Sequence, residues 1–197
     1  MKHLLAALAA CCLLVAGVLV NLPTDRPDLG PVRSASPPSA PWEPADDREL
    51  VDGSTGAPQR LEIQRLDIDA PVEPVGTTPE NAQEVPAALD ETGWWRDGAV
   101  PGEDGNAVIV GHTASSDDGV FDRLVDIESG DEILVTGEDG TAAFTVTETD
   151  VVPVPDFATI APDVYRSDGA SGLVLMTCGD WNGEEFETTV IVFAERA

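Results

Sequence analysis

From residue 59 onward the chain is a succession of short apolar or alternating runs, each closed by a turn signal, and no segment carries a long helical period. Leu61-Glu62-Ile63 alternates, as does the stretch around Ile68 and Val72. Further runs follow at 107–110, 132–136, 142–147, 151–154, 173–177 and 190–194. Between them stand Pro101-Gly102, Ser129-Gly130-Asp131, Glu138-Asp139-Gly140, Asp168-Gly169 and Asn182-Gly183, the residue types that tight turns require. Short helices are expected only at 86–91 and 119–127. Seven or eight strands joined this tightly can bury their apolar faces in two ways, as a closed or nearly closed β-barrel or as a sandwich. The domain is therefore expected to be all-β.

Two of these runs end on reactive side chains. Ala107-Val108-Ile109-Val110-Gly111 leads into His112, and Leu173-Val174-Leu175-Met176-Thr177 leads into Cys178. They are the only histidine and the only cysteine beyond residue 12. A thiol becomes a good nucleophile when a base or a cation stands beside it, and imidazole supplies either near neutral pH. Two strand ends at one rim of a sheet would bring the pair together. Alone, each has a blander reading, a satisfied structural histidine and a buried apolar cysteine. Cys11 and Cys12 fall in the N-terminal apolar segment, so Cys178 has no disulfide partner within the domain.

Residues 4–22 carry no charge and follow a short positive start, Lys2-His3. About 20 apolar residues cross a bilayer core, and no small-x-small site ends this run, so an uncleaved anchor is expected over a cleaved signal. Leu8-Ala9-Ala10-Cys11 is like a lipoprotein cleavage box, but the region before it is short. Lys2 ahead of the span and Asp25 after it predict an outward-facing domain. Residues 23–58 hold eight prolines among Ser, Ala, Gly and Asp without hydrophobic periodicity, the composition of a disordered, extended linker. The organisation expected is thus an N-terminal membrane anchor or signal (1–22), a Pro-rich linker (23–58) and one domain (59–197).

The net charge is −27, from 37 acidic against 10 basic residues, and Lys2 is the only lysine. Such a field excludes nucleic acid and anionic lipid as electrostatic partners. It suits a highly solvated surface, or one adapted to high salt, where the Debye length shrinks to about 3 Å at 1 M.

The ordered set Gly93-Trp94, Pro101-Gly102, Gly111-His112-Thr113, Val120-Phe121, Leu124, Gly130-Asp131 and Met176-Thr177-Cys178-Gly179 resembles sortases, the cysteine transpeptidases of Gram-positive surfaces, and within them the class E/F group typical of actinobacteria. The resemblance covers residues 60–194. It implies a single closed barrel of about eight strands with short helices, and an N-terminal membrane anchor. It implies that Cys178 attacks a backbone carbonyl of an LPXTG-like sorting signal, cut between Thr and Gly. His112 would protonate the leaving amine, and the thioacyl enzyme would be resolved by a cell-wall precursor or pilin amine. Thr177 and Gly179 flank the nucleophile and are candidates for substrate or oxyanion contact. No cofactor and no metal is implied; one histidine and one cysteine cannot form a zinc site.

The sequence departs from the family in one respect. Sortases carry an arginine in or just before the strand after the cysteine, yet residues 179–195 contain neither arginine nor lysine. Thr188-Thr189 stands near that position, with Glu184, Glu185 and Glu187 in the preceding loop, and Arg196 is only a weak substitute. The alternative function is accordingly a tethered sortase-like module that binds peptide with little or no catalysis. Trp94, Trp95 and Trp181 are candidates for a peptide groove or for burial under loops. The acidic loops at 115–119 and 184–185 match no defined calcium loop and read as solvated. Papain-like enzymes run cysteine before histidine, and a chymotrypsin-like double barrel needs more chain.

Overall fold

A computed structural model describes residues 50–79, 82–114 and 118–197. The anchor at 1–22, most of the linker, and Ser115, Ser116 and Asp117 of the first acidic loop lie outside them. No helix among the described residues is long and apolar enough to cross a membrane.

Eight strands close into a barrel: β1 (Pro58–Ile63), β2 (Ile68–Val75), β3 (Thr92–Trp95), β4 (Asn106–Gly111), β5 (Glu132–Gly137), β6 (Gly140–Pro153), β7 (Gly172–Trp181) and β8 (Phe186–Arg196). Around the barrel they run β1-β2-β3-β4-β7-β8-β6-β5, with β5 pairing back onto β1. Six neighbouring pairs are antiparallel, whereas β2–β3 and β4–β7 are parallel. Of the two architectures the strand pattern allowed, the barrel is the one formed.

Alternate residues of each strand fill the interior. Leu61, Ile63, Ile109, Phe121, Phe144, Leu175 and Val192 belong to this core. The intervening residues of β4, β7 and β8 face outward, yet Val108, Val110, Val174, Met176 and Ile191 are buried too. They are covered by the single described α-helix, α1 (Phe157–Val164), through Phe157 and Val164, with Val85, Trp95 and Tyr165 alongside. Strands buried on both faces read as continuous apolar runs, which explains the unbroken β4 and β7 segments.

The structure corrects both helix expectations. Residues 86–91 are irregular, with a turn near Leu89, and 119–127 form a turn and one 3-10 segment, Leu124–Asp126. Val120 N–H donates to the Leu89 carbonyl and Phe121 N–H to the His112 carbonyl, so the backbone of both segments serves cross-links instead of a helix. The helix that does form, α1, follows the paired prolines Pro153 and Pro155 and carries Pro162 inside it.

Candidate active site

The parallel pairing of β4 and β7 sets the site. Asn106 stands opposite Gly172 and each following pair keeps the same offset up to Val110 opposite Met176. Carried on by two residues, that offset would set His112 level with Cys178. Where the ladder ends, a side chain continues the seam: the Thr177 hydroxyl, buried with its residue, donates to the Gly111 carbonyl at 2.9 Å. Its proton thus committed, Thr177 accepts from the Thr113 hydroxyl at 2.7 Å. Thr177 shares its face with Leu173 and Leu175 of the barrel interior. Cys178 falls on the other face of β7 with Val174 and Met176, and His112 follows the end of β4, two residues past Val110. Both are half-buried. Histidine thus directly follows β4, and cysteine lies within the neighbouring parallel β7, three residues before its end.

His112 is held from two sides. Its carbonyl accepts from Phe121 N–H at 2.9 Å, and its Nε2 lies 2.7 Å from the Pro86 carbonyl oxygen. Gly111 must be glycine, because a Cβ there would sit 2.5 Å from the Phe121 ring. Asp122 fixes the loop beyond, its carboxylate accepting from Ala114 N–H at 2.7 Å and Gly119 N–H at 2.8 Å.

On the other side of Cys178 stands Thr189, its cross-strand partner on β8. Thr189 is 4% exposed and shares the outer face with Ile191. Sequence reasoning set Thr188-Thr189 only approximately; pairing assigns Thr189 to Cys178 and Thr188 to Gly179. A Cβ on Gly179 would lie 2.6 Å from the Thr188 hydroxyl, which donates onward to Asp180 at 3.0 Å. Asp180 takes a left-handed conformation, φ 55°, which acidic and amide side chains tolerate better than most. The strand then reaches Trp181, 42% exposed and packed on Phe186 at 4.9 Å between ring centroids. Of the three tryptophans considered, only this one stands open at the site's rim. Trp94 is buried with its indole donating to the Ala99 carbonyl, and Trp95 meets Tyr165 edge to face.

Arg196 is not a substitute for the missing cation. It lies seven residues beyond Thr189 on β8, about 23 Å away at the usual strand rise, at the opposite end of the strand. Its guanidinium bonds the carbonyls of Val51 and Gly53 and stands 5.7 Å from the Phe144 ring. Other arginines are engaged elsewhere. Arg60 pairs with Asp69, whose hydrogen bond raises the arginine pKa further, Arg65 with Glu128 and Asp131, Arg123 with Asp126, and Arg166 with Asn106. Arg96 follows β3 at the end away from Thr92, the residue paired with Gly111.

Among the described residues no group of three or more His, Cys, Asp or Glu side chains comes together as a metal site. A thiol beside an imidazole on a partly open face is the requirement for acyl transfer through a thioester.

Comparison with solved structures finds the same fold. Sortase C-1 from Actinomyces oris aligns with a TM-score of 0.55 at 22% identity, over 71% of this chain and 72% of that one. A lid mutant of sortase A from Corynebacterium diphtheriae gives 0.55 at 23%, over 72% and 70%. A Clostridium perfringens sortase D5 transpeptidase gives 0.55 at 20%, over 76% and 82%. No curated protein sequence matches the chain. Residues 61–197, from within β1 through β8, match the Sortase domain. The chain therefore belongs to the sortase family of cysteine transpeptidases.

Proposed function

We propose that this chain is a membrane-anchored extracellular sortase of the class E/F type, in a Gram-positive cell. In this reading it cleaves an LPXTG-like sorting signal and transfers the acyl fragment to a cell-wall precursor or pilin amine. Cys178 is the nucleophile and His112 the acid and base. The observation that supports the reading is the constant offset of the β4–β7 ladder, which, extended by two residues, brings His112 level with Cys178. The uncharged run at 4–22 and the linker at 23–58 support the anchor, and the net charge of −27 speaks against nucleic acid.

The chemistry follows from the two groups. The Cys178 sulfur forms a bond to the peptide carbonyl carbon, and the C–N bond breaks as His112 protonates the departing amine. A second amine then attacks the thioester, the C–S bond breaks, and the incoming nitrogen gives up its proton to His112. The oxyanion of each step meets no arginine or lysine on β8 near Thr189, so backbone N–H groups have to stabilise it.

That missing cation supports the second reading, a tethered module that binds wall or pilin peptides without turnover. Incubation with an LPXTG-type peptide and an amine separates the two by mass spectrometry. The enzyme yields a thioacyl adduct on Cys178, absent in Cys178→Ala. Intact peptide with measurable binding refutes the enzyme and establishes the module.

A further inference from the structure

The contact between His112 and Pro86 decides more than the orientation of the ring. A carbonyl oxygen can only accept, so the proton of the 2.7 Å bond belongs to Nε2. A neutral imidazole carries one proton, which leaves Nδ1 bare. No hydrogen bond among the described residues engages Nδ1. An imidazole working as acid and base must load and unload one nitrogen, and Nε2 cannot be unloaded without leaving the carbonyl facing a lone pair.

We propose that the Pro86 carbonyl fixes the protonation pattern of His112, so that Nε2 keeps its proton through the cycle and Nδ1 is the nitrogen that exchanges protons with the thiol and the amines. The proposal rests on the reading of Cys178 and His112 as the reactive pair. In the first half-reaction the thiol proton passes to Nδ1, the S–C bond forms, the C–N bond breaks, and the Nδ1 proton leaves on the amine. In the second, the incoming amine forms the new C–N bond and loses its proton to Nδ1. The C–S bond breaks, and that proton returns to sulfur.

Pro86 is a fixture of the fold, not a passing loop contact. Its residue is buried, and its ring takes the space over Gly93. A Cβ on Gly93 would lie 3.0 Å from Pro86 Cδ and 2.7 Å from a Val75 methyl. Gly93 pairs with Val110, two residues before His112, so the seat adjoins the histidine strand. The segment is tied at both ends. Glu84 N–H donates to the Gly76 carbonyl at 2.9 Å and Gly76 N–H to the Glu84 carboxylate at 2.8 Å, while the Leu89 carbonyl takes Val120 N–H at 2.8 Å. The pyrrolidine ring restricts the backbone further. Pro86 is thus a positioning residue, acting through its main chain, and Gly93 makes room for it.

The test is the tautomer itself. In the intact chain labelled with ring ¹⁵N-histidine, long-range ¹H–¹⁵N correlation separates the two nitrogens, and His112→Gln assigns the signal against that of His3. The neutral ring is expected as the Nε2–H tautomer; an Nδ1–H tautomer or an even mixture overturns the proposal. Gly93→Ala, which displaces the Pro86 ring, is expected to mix the tautomers and to lower kcat for thioester formation by about tenfold or more, with KM within about twofold. Pro86→Ala, which keeps the carbonyl, is expected to retain the Nε2–H tautomer and most of kcat. A Gly93→Ala protein with mixed tautomers and wild-type kcat overturns the role. A thioacyl adduct on Cys178 with an Nδ1–H ring overturns the relay alone. An Nε2–H ring with no adduct overturns the catalytic reading and the relay together.

Discussion

Replacing Thr177 by valine tests the seam that holds the two strand ends in register. Thr177 is 6% exposed, and its hydroxyl donates to the Gly111 carbonyl at 2.9 Å while accepting from Thr113 at 2.7 Å. Valine keeps the branched shape and removes both bonds. Each of the two bonds contributes about 1 kcal/mol net, and the desolvation cost at the buried Gly111 carbonyl adds about 1–3 kcal/mol, so Thr177→Val should lose about 3–5 kcal/mol. Thr177→Ser keeps the hydroxyl and loses one methyl, about 1 kcal/mol. Urea unfolding at constant m-value measures both. The same variants report on function, because the Thr177 bonds lie immediately before Cys178 and immediately around His112. With the seam released, thioester formation should slow about tenfold or more in the valine variant and stay near wild type in the serine variant. A valine variant as stable as wild type would refute the bridge. One that is destabilised yet acylates Cys178 at the wild-type rate would refute the claim that the bridge holds the reactive pair.

Three further outcomes are expected. Thr189→Arg adds a cation across from Cys178 on β8; it should raise the acylation rate on the order of tenfold by supporting the oxyanion, at about 1–3 kcal/mol of stability for overfilling a buried position, and a slower enzyme would count against the oxyanion argument. Arg196→Met should lower the thermal midpoint by releasing Val51 and Gly53, yet leave thioester formation unchanged, since Arg196 lies at the far end of β8; a loss of turnover in a folded variant would contradict that placement. Thermal stability should rise between roughly 0.1 and 2 M salt as like-charge repulsion among the 37 acidic residues is screened, and a flat or falling curve would dismiss the high-salt interpretation.

What the sequence made legible was whatever is buried on a regular period. β4 and β7 stand out because the barrel core takes one face and the α1 layer the other, so no polar residue interrupts 107–110 or 173–176. β6 is hidden as a single strand by a register shift between Val146 and Glu148; beyond it residues 148–153 pair with β8 alone, and Glu148-Thr149-Asp150 reads as a break. β3 is four residues long and contains Gly93, too short for alternation to register. α1 is eight residues with a proline inside, and its helicity comes from packing Phe157 and Val164 onto the outer face of the sheet. The expectation of a helix at 86–91 failed for a related reason: Pro86 and Leu89 spend their carbonyls on His112 and Val120, contacts made 26 or more residues away that leave no local trace. His112 and Cys178 stand out in the sequence because each closes an apolar run. Their neighbours Pro86 and Thr189, which shape what the pair can do, do not stand out.

Strand direction explains why this arrangement suits the two residues and not the arginine. Parallel strands run toward the same rim, so residues at the same offset on β4 and β7 stand level with one another, as the constant offset of their pairing shows. An antiparallel neighbour reverses the rule. β8 runs back from the hairpin at 182–185, so the residue facing Cys178 comes from its beginning, Thr189, and its last residue, Arg196, stands opposite the start of β7. A cation for the oxyanion therefore has to enter within the first few residues of β8, where this chain has Glu187, Thr188 and Thr189. No arginine near the C-terminus can replace it without crossing the length of the barrel. The same geometry gives the Thr189→Arg substitution its force, because position 189 lies directly across from the sulfur, on the same face and one strand away.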